Sequence, residues 1–156
     1  MKEKTCCFTG HRKLPIDNIE NIKNRLSDEI DNLYNQGVIN FISGGALGFD
    51  QIAATIVAAK KKSGKNIRLI FALPCRNQDE FWPAKEKAVY HYLLELADEI
   101  IFVSDKYSSG CMKKRNYYMV EMSAYCICAL LDDHSGTAQT VRHAKQKELQ
   151  IINVTE

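Results

Sequence analysis

The sequence predicts a doubly wound α/β fold, in which a mostly parallel sheet carries helices on both faces. Short apolar runs alternate with amphipathic stretches along the chain, which is the pattern of repeated strand–helix units. Most runs are continuously apolar, as expected for strands that helices cover on both sides. We expect one domain over residues 1–156, because no segment rich in Pro, Gly or Ser divides the chain. The predicted strands are residues 5–9, 38–42, 67–73, 99–103, 125–131 and 151–154.

The helices between these strands are predicted from apolar spacing and from end signals. In the first helix, Ile22, Leu26 and Ile30 recur at every fourth position and place an apolar stripe on one face. Asp17 is predicted to cap the start of this helix, and Gly37 to take a positive φ just past its end. The remaining helices are predicted at about 49–62, from about 83 onward with Val89, Leu93 and Leu96 buried, at 112–124 and at 136–148.

Composition narrows the classes of function. The 46% hydrophobic and 26% charged residues are those of an ordinary folded protein, and 21 Lys and Arg against 19 Asp and Glu leave a net charge of +2. This charge is too small to favour a phosphate backbone, so we do not expect nucleic acid as a partner. No apolar run approaches the roughly 18 residues of a membrane span. We therefore expect a cytoplasmic protein with reduced cysteines and no metal.

The loop after the second strand is the most informative segment. Ser43, Gly44, Gly45 and Gly48 lie where a strand is predicted to meet a helix, and Asp50 follows in the first helical turn. Exposed backbone N–H groups and the positive end of the helix dipole would favour a phosphate there. A tight turn that needs glycine for close packing explains the same residues equally well. Asp50 is either a helix-start residue or a partner for a ribose hydroxyl.

Other loops at the same edge of the sheet offer further ligand-binding residues. Arg115 lies near a predicted helix start, where its charge opposes the helix dipole unless an anion is close, and Asn116 can bind a sugar or a base. Phe81 and Trp82 are candidates to stack on a base, with a packing role for Trp82 as the alternative. The remaining candidates are Gly10, His11 and Arg12 after the first strand, and Ser135, Gly136 and Thr137 before the last helix.

Taken together, these loops resemble the SLOG superfamily. The resemblance covers about residues 5–154, and the opening segment 6–12 is similar to the YpsA-like branch of small bacterial proteins. It implies a Rossmann-like sheet that binds a nucleotide-derived ligand such as ADP-ribose, NAD or a nucleoside monophosphate, without a required cofactor. It also implies kinship with LOG-type phosphoribohydrolases and DprA-type proteins and, at the level of the family, a homodimer. The motifs that carry it are segments 9–12, 43–46 with Gly48 and Asp50, 115–116 with Met119, and 135–137.

The same resemblance bears on catalysis. In LOG-type enzymes an Arg and a Glu are thought to serve the reaction; Arg115 matches the Arg, whereas Gln139 stands where the Glu belongs. An amide cannot accept a proton as a general base. We therefore expect a sensor or regulatory module with a protein partner rather than an enzyme. The alternatives are an N-glycoside hydrolase, with Arg115 and Asp133 as catalytic candidates, and a protein-interaction module without a ligand.

Overall fold

In the computed structural model, which describes residues 1–156, six strands alternate with five α-helices, as the sequence predicts. None of the helices combines the length and the apolar content that crossing a membrane requires. The strands are β1 (Thr5–Gly10), β2 (Asn40–Ser43), β3 (Arg68–Leu73), β4 (Glu99–Phe102), β5 (Tyr125–Ala129) and β6 (Gln150–Asn153). The helices are α1 (Ile19–Asn35), α2 (Phe49–Lys62), α3 (Ala84–Glu95), α4 (Cys111–Glu121) and α5 (Gly136–Gln146).

The strands form one sheet in the order β4-β3-β2-β1-β5-β6, and every neighbouring pair is parallel. The chain moves outward from β1 to β4 and then returns to the other side of β1 to form β5 and β6. The strand order therefore reverses between β1 and β5, where Cys7 pairs with Cys126. In open parallel sheets, ligands bind beyond the carboxyl ends of the strands at such a reversal point. The predicted doubly wound fold is confirmed.

Helices cover both faces of the sheet, and each face has its own apolar core. Phe8 and Phe41 belong to the core that α1, α2 and α3 complete. Cys7 and Cys126 belong to the opposite core, which contains Met119 of α4. Successive residues of a strand face opposite sides of the sheet, so strands buried on both faces are apolar at every position. All six cysteines are free and buried.

Two predicted details of the helices are wrong. Asn18, not Asp17, precedes α1 and makes no capping hydrogen bond, because Asp17 lies in a 3-10 turn that leads into the helix. In α3, Val89 is 45% exposed, and the buried residues are Tyr90 and Leu93. The inward face of α3 is therefore rotated towards Tyr90.

Candidate functional site

A polar cleft lies at the reversal point, beyond the carboxyl ends of β1 and β5. Its volume is about 260 Å³, and its walls come from the loop after β1, the β2–α2 loop and the first turns of α4 and α5. Only two of its twelve lining residues are hydrophobic, so it suits a polar or charged ligand. The lining residues are Thr9, Gly10, His11, Arg12, Ala46, Asp50, Met112, Arg115, Asn116, Ser135, Gly136 and Thr137.

Arg115 of α4 forms one wall of the cleft, although the residue is only 4% exposed. Its Nη1 donates a hydrogen bond to the carbonyl oxygen of Gly44 at 2.6 Å, and its Nε donates to Oδ1 of Asn116 at 2.8 Å. Its Nη2 donates to the sulfur of Met112 at 3.7 Å. Because sulfur is a weak acceptor, Nη2 can still donate to an anion while the other bonds hold the guanidinium in place.

Asp50 is the carboxylate of the cleft, and it is buried in the first turn of α2. Its Oδ2 accepts a hydrogen bond from the amide of Ala46 at 3.4 Å. Burial raises the pKa of Asp50 to about 6, and the positive charge of Arg115 opposes that rise. Burial also lowers the pKa of Arg115, and the charge of Asp50 raises it. The cleft thus combines two cations, Arg115 and Arg12, with one carboxyl group.

The glycines of the β2–α2 loop shape the cleft without lining it. A Cβ atom at Gly44 would lie 2.5 Å from Nη1 of Arg115 and 2.7 Å from Oδ2 of Asp50, so the loop passes between these groups only as glycine. Gly48 has a φ of 86°, and a Cβ atom there would overlap the backbone of the loop after β1. The close-packing interpretation therefore describes Ser43, Gly44, Gly45 and Gly48, all of which lie outside the cleft lining.

His11 connects the two loops that meet at the reversal point. Its Nε2 accepts a hydrogen bond from the amide of Leu131 at 2.9 Å, which requires a neutral ring with its proton on Nδ1. Gly10 lets the ring of Phe49 approach the backbone, since a Cβ atom at Gly10 would overlap that ring. Arg12 is exposed at the cleft. The first loop is therefore held in position while its arginine stays accessible.

The start of α5 is open towards the cleft. Ser135 caps this helix, because its Oγ accepts a hydrogen bond from the amide of Ala138 at 3.1 Å. The amides of Gly136 and Thr137 belong to the first turn, where N–H groups have no acceptor within the helix. No atom lies within 4 Å of the Cβ position of Gly136, so a ligand can reach the backbone there. The positive end of the helix dipole favours an anion at this position.

Several residues predicted from the sequence lie away from the cleft. Phe81 is 91% exposed, and Trp82 packs edge-to-face on Tyr90 with ring centroids 5.0 Å apart. The structure does not bring this pair to the cleft, because Trp82 packs against α3. Asp133 is exposed in the loop before α5, and neither it nor Gln139 lines the cleft. Among the other lining residues, Thr9 and Ala46 lie in the motif segments but were not predicted to bind ligand, and Met112 was missed although it lies beside a predicted helix start.

The fold and the position of the cleft define a Rossmann-like α/β protein. The chain belongs to the YspA SLOG family, whose model matches residues 6–154. The SLOG resemblance of the loop motifs is therefore confirmed.

Two relatives resemble the chain over most of its length. It is 36% identical over 141 residues to the Bacillus subtilis protein named uncharacterized SPbeta prophage-derived protein YoqJ, and the match covers 82% of each chain. It is 26% identical over 131 residues to a UPF0398 protein of Halalkalibacterium halodurans, covering 83% of this chain and 69% of that protein. Neither name states an activity or a ligand.

Two solved structures of DNA processing protein A (DprA) share the fold. The Streptococcus pneumoniae protein matches with a TM-score of 0.70 at 16% identity, over 96% of this chain and 50% of that chain. The Helicobacter pylori protein matches with a TM-score of 0.68 at 21% identity, over 96% of this chain and 64% of that chain. This chain therefore spans between half and two thirds of those proteins.

The expectation that nucleic acid is not a partner is wrong. The Helicobacter pylori DprA structure is described as having a single-stranded DNA binding mode, so a protein containing this fold binds nucleic acid. The expectation rested on a net charge of +2, which describes the whole chain. Binding of a phosphate backbone depends on where the cations lie, and a small net charge does not exclude a local basic site.

Proposed function

We propose that the chain binds a nucleotide-derived ligand, such as a nucleoside monophosphate, NAD or ADP-ribose, and acts as a sensor or regulatory module. The observation that carries the proposal is the convergence of anion-binding groups on one cleft at the reversal point. These groups are Nη2 of Arg115, the exposed Arg12 and the open first turn of α5 at Gly136. Guanidinium groups and a helix N-terminus are the donors that proteins use for phosphate.

The remaining polar groups of the cleft fit a sugar. Oδ2 of Asp50 accepts the bond from Ala46, which leaves Oδ1 as an acceptor for a ribose hydroxyl. Asn116 uses its Oδ1 to accept from Arg115, so its amide nitrogen can donate to the ligand. Cations, a hydroxyl acceptor and an amide donor in one cleft favour a sugar phosphate over a simple inorganic anion.

Hydrolysis of an N-glycosidic bond is the second candidate, and it is favoured by the buried carboxyl group that Asp50 presents to the cleft. The pKa of Asp50, which burial raises to about 6, suits a group that transfers protons near neutral pH. Asp133 and Gln139 do not line the cleft, so a hydrolase would have to use Asp50 in place of the missing Glu.

Calorimetric titration of ribose 5-phosphate, AMP and ADP-ribose into the wild-type protein and Arg12→Ala tests the proposal. Arg12 is exposed, so its loss leaves the core intact; Arg142→Ala, which removes an exposed arginine outside the cleft, is the matched control. We expect the ligands to bind the wild type and the control, and Arg12→Ala to bind them about tenfold or more weakly. No binding by any ligand, or equal binding by Arg12→Ala, would contradict the proposal.

Two parallel measurements separate the proposal from its rivals. The first measures the binding of a fluorescent single-stranded oligonucleotide. If the oligonucleotide binds and AMP does not, the ligand is a nucleic acid and the proposed nucleotide ligand is wrong. Free adenine released from AMP, detected by proton NMR and absent with Asp50→Asn, would make the protein a hydrolase. Line broadening of AMP without new signals supports a binding module.

A further inference from the structure

A second cavity adjoins the polar cleft and shares His11 with it. The cleft alone, at about 260 Å³, is smaller than the roughly 300–1,000 Å³ of most ligand sites. The adjoining cavity has a volume of about 470 Å³, and the two together fall within that range. A ligand larger than a sugar phosphate would therefore extend from the cleft into this second space. Its lining residues are His11, Lys13, Leu14, Pro15, Leu131 and Asp132.

The second cavity lies at the same reversal point of the sheet. One wall is the segment 13–15 after β1, and the other is the segment 131–132 after β5. The hydrogen bond from the amide of Leu131 to Nε2 of His11 fixes the distance between these two walls. His11 therefore lines both spaces and also bonds the two loops that form the walls of the second cavity.

The chemistry of the second cavity differs from that of the cleft. Leu131 is 48% exposed, and it lines the cavity together with Pro15 and with Leu14, whose side chain also packs against the core. Lys13 and Asp132 add one donor and one acceptor. Oδ1 of Asp132 accepts a bond from the amide of His134 at 2.9 Å, which leaves Oδ2 for a ligand. A nucleobase has matching features, since its faces are apolar and its edge carries both donors and acceptors.

We propose that this cavity is the base-binding subsite of the protein, so that the ligand keeps its nucleobase and is not a bare sugar phosphate. The proposal rests on the proposed function: the phosphate lies at Arg115 and the start of α5, the sugar passes His11, and the base lies against Leu131 and Leu14. It gives the base a place that Phe81 and Trp82 do not provide.

A comparison of AMP with ribose 5-phosphate tests the subsite, because the two ligands share the ribose and its 5-phosphate, and ribose 5-phosphate has a hydroxyl group where AMP has adenine. We expect Leu131→Ser to weaken AMP binding about tenfold and to leave ribose 5-phosphate unchanged, since the lost contact is apolar. Ile16→Ser, which removes an aliphatic side chain that is 87% exposed and outside both cavities, is the matched control and should change neither affinity. Nuclear Overhauser effects from adenine H2 and H8 to the methyl groups of Leu14 and Leu131 should appear in the wild-type complex.

The outcomes separate the subsite from the function on which it rests. If neither ligand binds, the proposed function itself fails. If both bind the wild type equally, or Leu131→Ser weakens both to the same degree, the phosphate site stands and the base subsite is wrong. Adenine contacts with Trp82, or with no methyl group of the second cavity, would also overturn the subsite.

Discussion

Two strand-to-helix junctions of this protein have similar sequences and opposite surroundings. The junction before α2 contains a Ser-Gly-Gly segment, and the junction before α5 contains Ser-Gly-Thr. A Cβ atom at Gly44 would collide with Arg115 and Asp50, whereas no atom lies within 4 Å of such an atom at Gly136. The protein's own side chains fill the junction before α2, residues 43–48, which we call the filled junction. The junction before α5, residues 135–137, is open to the cleft, and we call it the open junction. A glycine-rich junction is therefore a phosphate site only where the protein leaves its amides uncovered.

The largest expected effect is the loss of stability when the filled junction is overpacked. Gly48→Ala adds a Cβ atom against the backbone of the loop after β1 at a positive φ, and should destabilise the protein by about 3 kcal/mol or more. Gly64→Ala is the matched control, because Gly64 also has a positive φ but nothing within 4 Å of its Cβ position. Urea unfolding should show a loss of only about 1–2 kcal/mol for the control. Equal losses would contradict the close packing.

The filled junction also makes stability depend on pH through Asp50. Its pKa in the folded protein, about 6, lies above its unfolded value, so its contribution is complete below the unfolded pKa and is lost as pH rises through 6. Between about pH 4 and pH 7, the wild type should lose about 2–3 kcal/mol of unfolding free energy relative to Asp50→Asn. Urea unfolding of both proteins across this range measures the difference. A difference that does not vary with pH would show that Asp50 is not buried as described.

Arg115 connects the two junctions, because it anchors on Gly44 and faces the start of α5. Arg115→Ala should weaken the binding of ribose 5-phosphate by about 1.5–3 kcal/mol if Nη2 donates to the phosphate. Calorimetry gives the affinity, and circular dichroism at the same temperature verifies that the variant is folded. Arg115→Lys, which keeps the charge but loses the planar fork, should fall between the wild type and the alanine variant. Unchanged affinity in both variants would remove Arg115 from the site.

The smallest expected change in stability belongs to the open junction. Gly136→Ala should alter the unfolding free energy by less than about 1 kcal/mol, since the added methyl group meets no protein atom. The same methyl group stands where a ligand would approach the amides of the first turn, so binding of ribose 5-phosphate should weaken while stability is kept. If Gly136→Ala lost much stability and kept its affinity for ribose 5-phosphate, the junction before α5 would be closely packed and would not be the phosphate site.

The sequence predicts the fold more completely than the site, and the reason is the range of the interactions. Ile22, Leu26 and Ile30 form the buried stripe of α1 as predicted, because helical spacing is a local property of the sequence. The contact between Arg115 and Gly44 joins residues 71 positions apart, and no local pattern encodes it. The sequence identifies the loops as candidate ligand sites. It does not show which of these loops is filled by the protein's own side chains in the folded chain.

Trp82 illustrates the same limit at shorter range. An aromatic residue beside a polar loop is compatible with stacking on a base and with packing. Its contact with Tyr90 depends on how α3 is rotated over the sheet, and that rotation differs from the one predicted from Val89. Whether Trp82 stacks on a base or packs against the protein can therefore be decided only when the orientation of the whole α3 helix is known.

Titration of ¹⁵N-labelled protein with AMP, followed by the amide signals in ¹H–¹⁵N spectra, directly tests whether the open start of α5 binds the phosphate. We expect progressive shifts of the Gly136 and Thr137 amides at the open start of α5, with the Gly64 amide unchanged as an internal reference. A separate apolar groove of about 700 Å³ lies between α2 and α3 and is lined by Val89 and Tyr92. Shifts confined to that groove, or no shifts at Gly136 and Thr137 at saturating AMP, would contradict AMP binding at the cleft.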